Sequence, residues 1–100
     1  MPHATATVNG HKVAETDTYE VVEGNIYFPP SSLKESFFAS SPTTTVCPYK
    51  GTASYYTVTT NKTETKDAAW VYADPKKEYE KIKGFVAFYK GKPGVEVSSE

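Results

Sequence analysis

Cys47-Pro48-Tyr49-Lys50-Gly51, followed by Thr52-Ala53-Ser54-Tyr55-Tyr56-Thr57-Val58, decides the fold of this chain. The second half alternates β-branched, aromatic and small polar residues, the composition that a pleated, half-buried surface favours. Strand side chains alternate, so Ala53, Tyr55 and Thr57 face one side, and Ser54, Tyr56 and Val58 the other. Ahead of the turn stand Thr43, Thr44, Thr45 and Val46, which read as the partner strand. The turn between them gathers the only cysteine, a proline, a lysine and a glycine at the mouth of a strand.

Working outward, residues 5–8 and 11–14 flank Asn9-Gly10, a pair that tolerates the positive φ of a type I′ hairpin. A third strand over 18–22 leads through Glu23-Gly24-Asn25 into a strand over 26–28. Pro29-Pro30 ends it, since proline gives the ladder no N–H. Ser32 and Glu35 have capping-box spacing and are followed by Phe37 and Phe38, which predicts one short helix of about two turns. On the other side, 61–67 reads as a polar turn returning into Ala68-Ala69-Trp70-Val71-Tyr72. Residues 76–82 predict an irregular turn or short helix, 85–89 a strand, and 95–97 an edge strand or a frayed tail. Many short strands with turn signals between them make a mainly β, antiparallel domain. With no repeat or linker, residues 1–100 read as one domain.

Composition narrows the partners. Net charge is -1, which gives no field to draw nucleic acid or an anionic membrane. All 11 basic residues are lysine, so the bidentate fork that usually reads phosphate is missing. One cysteine excludes an internal disulfide and a cysteine-rich zinc site. No export signal or long apolar run is visible, so the expected setting is cytoplasmic. The sequon Asn61-Lys62-Thr63 matters only on a secretory route.

Val8-Asn9-Gly10, Tyr27-Phe28-Pro29, Cys47-Pro48-Tyr49-Lys50-Gly51 with Ala53-Ser54-Tyr55, Ala69-Trp70 with Tyr72, and Val86-Ala87-Phe88-Tyr89 occur in one order. In that order they resemble domain-of-unknown-function family 427, small proteins of bacteria and fungi, over about residues 5–89. The resemblance implies a β-tent, a pair of small antiparallel sheets meeting at an angle with a cleft between them. Methionine sulfoxide reductase B and the thalidomide-binding domain of cereblon share that architecture. Such relatives often hold a structural zinc on paired cysteine knuckles, which this chain lacks, so no metal or other cofactor is expected. The family is also called nucleotidyltransferase-like, yet the glycine-serine phosphate loop and paired aspartates of that chemistry are absent here. Pro30, Ser31 and Ser32 replace an arginine and acidic pair of bacterial members, and Val46 and Tyr56 replace a histidine and a tryptophan. A glutamate before the Tyr-Phe-Pro strand belongs to the family pattern, and Glu23 aligns with it.

Three groups of residues are candidates for chemistry. Cys47 is a nucleophile if Lys50 folds over its sulfur and favours the thiolate, and otherwise a small residue packed under the strand. Glu23 and Lys50 form an acid–base or ligand-orienting pair, or a salt bridge that only closes the sheet ends. Tyr27, Tyr49, Trp70 and Tyr72 wall a cleft or fill a core, because Trp70 and Tyr72 share one strand face and Ala69, Val71 and Ala73 the other. Gly51 would let the backbone approach a ligand. The expectation is a module binding a small polar molecule or a peptide end beside the Cys47-Gly51 turn, through Tyr27, Tyr49, Lys50, Gly51 and Trp70. The alternatives are a hydrolase or transferase using Cys47 or Glu23 with Lys50, and an interaction domain without a pocket. Oligomeric state stays open.

Overall fold

Asn9 and Gly10 take φ values of 51° and 82°, so β1 (Ala4–Val8) folds straight back on β2 (His11–Thr16) in the computed structural model, which describes residues 3–99. The other side of β1 pairs antiparallel with the last strand, β9 (Val95–Ser99), with Val8 opposite Val95. Residues 95–97 are thus an edge strand and not a frayed tail. Asn9 donates its amide hydrogen to the Gly94 carbonyl at 2.8 Å, which ties the first turn to the start of β9. Gly94 has a φ of 84°, and a Cβ there would lie 2.2 Å from Asn9 Oδ1, so a side chain would be strained and would displace the Asn9 amide.

The second hairpin is β3 (Glu20–Val22) and β4 (Asn25–Tyr27). Its turn is two residues rather than the expected three, with Glu23 at φ 53° and Gly24 at 80°. The four long and short strands that follow, β5 (Phe38–Cys47), β6 (Gly51–Thr60), β7 (Thr63–Val71) and β8 (Val86–Phe88), form an antiparallel sheet in chain order. Hydrogen bonding therefore gives three antiparallel sheets of three, two and four strands. Phe28 and Val86 exchange two backbone bonds of 2.7 and 2.8 Å, which joins the two-stranded hairpin to the free edge of β8.

Alternation then divides the packing. Ala69, Val71, Val86, Phe88 and Val58 point toward β1, β2 and β9, where Ala4, Ala6, Val8, Val13 and Val95 complete the main core. Phe28 is fully buried in that core and meets Phe88 edge to face, with ring centroids 5.4 Å apart. The opposite face carries Ala53, Tyr72, Ala87 and Tyr27, closed on one side by Ile82 from a kinked 3-10 segment, Lys77–Ile82.

Two further expectations change. The predicted helix is replaced by two single 3-10 turns, Pro30–Ser32 and Glu35–Phe37. Leu33 between them is extended and bridges Ala14, and Lys34 donates to the Val13 carbonyl at 2.9 Å, so pairing with β2 wins over the capping-box spacing. The polar segment after β6 is a two-residue turn, Asn61-Lys62, with positive φ at both, and residues 63–67 are strand. Pro42 sits at a register shift in the outermost strand, where a missing N–H is tolerated. Asp67 accepts hydrogen bonds there from Ser41 Oγ at 2.5 Å and Thr43 Oγ1 at 2.8 Å, and these hold its carboxyl below the usual range.

His3 is held at both ring nitrogens: Nδ1 lies 2.6 Å from Asp17 and Nε2 2.7 Å from Glu15. Hydrogen bonds to Asp17 and then Glu15 raise its pKa, because only the imidazolium can donate to both. The resulting stability is fully present below the unfolded value of about 6.5 and is lost as pH rises through the higher folded value. Urea unfolding of a His3→Gln protein should lose that pH dependence; an unchanged profile would show the clamp to be absent in solution. Phe28→Ala should lower unfolding free energy by about 3–5 kcal/mol in the same assay, the usual cost of a large cavity in a core. A cost below about 1 kcal/mol would mean that the two sheets are not joined through Phe28.

Candidate functional site

Cys47 and Gly51 face each other as the last pair of β5 and β6, leaving Pro48, Tyr49 and Lys50 as a three-residue loop. Gly51 has a φ of 117°, which a side chain would strain. The loop is fastened to the segment after β7 twice: Lys76 donates its backbone N–H to the Lys50 carbonyl at 2.8 Å and its Nζ to the Pro48 carbonyl at 2.7 Å. With its backbone tied outward, Lys50 sends its side chain inward and keeps only 5% of its exposure. The ammonium donates to the Glu23 carboxylate, lies 4.0 Å from Cys47 Sγ and stands 5.1 Å from the centre of the Tyr79 ring. Glu23 comes from the β3–β4 turn, 27 residues earlier. Its bond is the main reason that the Lys50 pKa is raised, against the opposing effect of burial.

This pair borders a cavity of about 410 Å³ on the aromatic face of the four-stranded sheet. Tyr27, Tyr55, Trp70, Tyr72 and Tyr89 wall it, and Asn25, Lys90 and Gly91 complete the rim. Trp70 Nε1 donates to Tyr27 Oη at 3.2 Å, with the rings near perpendicular at 85°. The Tyr27 oxygen is therefore an acceptor already, and its own proton is free to be donated. Burial pushes Tyr27 up, partly offset by the Trp70 bond, and burial also pushes Tyr72 up, so both are neutral phenols at physiological pH. Lys90 Nζ donates to the Gly24 carbonyl at 3.0 Å, so two lysines hold the tip of the β3–β4 hairpin at the cavity.

The structure brings together Glu23, Tyr27, Lys50, Trp70 and Tyr72 of the residues proposed from sequence. It separates three others. Tyr49 is 72% exposed on the outer side of its loop and is not a wall of the cavity. It is there because the loop's fastening to Lys76 turns Lys50 inward and leaves its neighbour outside. Gly51 and Cys47 also lie off the lining, although Cys47 touches Lys50. Asn25, Lys90 and Gly91 escaped the sequence reading, and Tyr55 and Tyr89 were not among the proposed site residues. The signal for Tyr55 was its alternation with Ala53 behind the turn, and that for Tyr89 its alternation with Phe85 and Ala87, which fits a core or a cleft wall; Lys90 follows a strand end and gave none. Among the described residues no group of three or more His, Cys, Asp or Glu could hold a metal, and no helix is long and apolar enough to cross a membrane.

A family model described as Domain of unknown function (DUF427) matches residues 2–99. The chain belongs to that family. No curated protein matches it. The DUF427 match runs beyond the 5–89 span over which the sequence motifs were legible, and takes in β9.

One chemical feature of this DUF427 chain lies beside the cavity. The backbone amides of Lys50 and then Tyr49 hydrogen-bond the Cys47 sulfur and lower its pKa, with a smaller contribution from the Lys50 ammonium. Proline at 48 leaves the next two amides as the donors of the loop. The rate of Cys47 alkylation by iodoacetamide should therefore rise with a midpoint below the ~8.5 of a free thiol. Lys50→Met should move that midpoint only slightly, since both amides remain. A midpoint that returns to the free-thiol value in the variant would assign the effect to the ammonium instead.

Proposed function

We propose that this protein binds a small polar molecule, or the end of a peptide, in the aromatic cavity, with the Lys50 ammonium as its polar anchor. One observation carries the reading: a lysine almost wholly removed from water lines an open cavity together with the Glu23 that its ammonium holds. Lysine is rarely buried without a partner, and a buried ion pair adds little stability over an apolar pair of the same volume. Glu23 supplies one acceptor for three ammonium donors. Cys47 sulfur and the Tyr79 ring occupy the remaining directions weakly, so an oxygen acceptor from a ligand improves the site. The neutral phenols of Tyr27 and Tyr72 add donors, and five aromatic walls favour a flat molecule. A cytoplasmic setting suits the free thiol, which a reducing compartment preserves.

A hydrolase or transferase is the second reading, favoured by the Cys47 sulfur held between two amides and an ammonium. It requires a reacting group to reach past the cavity lining to the sulfur. Activated esters that acylate wild-type protein but not Cys47→Ser would favour it over simple binding.

Thermal shift across a metabolite library tests the first reading, since a ligand of the native state raises the melting temperature. Lys50→Met should fold with stability within about 1 kcal/mol of wild type, because Glu23 is left in water and the apolar chain fills the same space. The same variant should lose the shift given by every hit. Hits that persist in Lys50→Met would remove the ammonium from the site.

A further inference from the structure

We propose that the occupant of the cavity is a small ring-bearing monocarboxylate whose carboxyl group replaces Glu23 on the Lys50 ammonium, so that Glu23 is an internal stand-in for the ligand. The inference rests on the binding reading above and gives it a chemical class. Its basis is that the ion pair is lopsided: the Lys50 side chain keeps 7% of its exposure and the Glu23 side chain 67%. Lys50 cannot follow its partner into water, because its carbonyl is bonded to the Lys76 N–H and its stem is packed inside. Glu23 already stands mostly in water on a two-residue turn, so rotating it away from the cavity costs little desolvation. The buried member needs an anion, and the exposed member is the one that can be exchanged.

Charge balance selects the class. Exchanging one carboxylate for another leaves Lys50 neutralised and adds no net charge beside it. A phosphate dianion would place surplus negative charge next to the displaced Glu23, with only Lys90, already bonded to the Gly24 carbonyl, to offset it. A cation would meet both Lys50 and Lys90. The second carboxylate oxygen has a donor in Tyr27, whose oxygen already accepts from Trp70 and whose proton is unclaimed. Tyr27, Lys50 and Glu23 line the same cavity. Trp70 stands edge to face with Tyr27 and with Tyr89, at centroid distances of 6.3 and 5.8 Å, so an inserted ring meets both edges and faces.

Trp70 fluorescence titrations of the full chain with benzoate, benzamide and phenyl phosphate test the proposal. Benzoate should bind wild type, with benzamide and phenyl phosphate weaker. Glu23→Gln, which still offers Lys50 an amide oxygen and so should fold, should bind benzoate about tenfold more tightly, because an internal competitor lowers apparent affinity by the fraction of time it holds the site. Carbon NMR of wild type gives a check without a variant: the Glu23 carboxyl resonance should move toward its solvent-exposed position as benzoate saturates. Weaker benzoate binding in Glu23→Gln, or a Glu23 resonance that stays put at saturation, overturns the exchange. Benzamide or phenyl phosphate binding without benzoate overturns the carboxylate class and leaves the binding reading standing. Silence from all three ring compounds overturns the carboxylate class too, and the binding reading falls with it only if the metabolite screen is also blank.

Discussion

An ammonium taken out of water must be given a counter-charge or lose its proton, and Lys50 obliges the surrounding structure to supply one. Glu23 answers from a separate hairpin, so the requirement links two parts of the chain that share no strand pairing at that point. The hairpin can deliver it because Phe28 and Val86 lock β4 to the edge of β8, and because Lys90 fixes the Gly24 carbonyl. Lys50 can receive it because the loop is fastened to Lys76 from outside. A pair of this kind stabilises a fold weakly, since desolvating the lysine offsets most of the attraction. Its presence at the only lysine that is buried among the described residues points to a use other than holding the chain together.

The cavity itself follows from how β6 and β7 divide their side chains. Ala69, Val71 and Val58 go to one face and are buried in the core shared with β1, β2 and β9. Trp70, Tyr72, Tyr55 and Ala53 go to the other, where only the 3-10 segment Lys77–Ile82 and the short β3–β4 hairpin are available as cover. Neither is broad enough to close that face, so a gap is left over the aromatic rings. Tyrosine and tryptophan tolerate such a position because each carries a polar atom that water or a ligand can satisfy. An equivalent set of leucines would expose apolar surface at the gap and favour collapse or association.

These physical rules also explain what the residues disclosed in advance. Asn9-Gly10 named its turn because few pairs adopt two positive φ angles, and the Cys47-Gly51 turn was legible because it stood between two alternating segments. The Glu23–Lys50 pair could be anticipated, as could the shared face of Trp70 and Tyr72. Ser32 and Glu35 misled because capping-box spacing is a local signal, whereas Leu33 and Lys34 are held by β2 across 19 or more residues of sequence. Tyr49 misled in the same way: its place next to Lys50 says nothing about which of the two points inward. That was decided by Lys76, whose reach to the loop no sequence pattern announced.

The position of Cys47 bears on the two proposed readings, binding and catalysis. Two amides and an ammonium favour its thiolate, which is the condition for a nucleophile. Yet the sulfur is not part of the cavity wall; Lys50 contacts both the sulfur and the cavity. A group bound in the cavity therefore meets the ammonium before it meets the thiolate. Covalent attack on a group bound in the cavity would need the Lys50 side chain to move, and that side chain keeps only 7% of its exposure. On the binding reading proposed above, the restraint that suits Lys50 to anchoring an anion would also make it a poor gate, which favours that reading over the catalytic one.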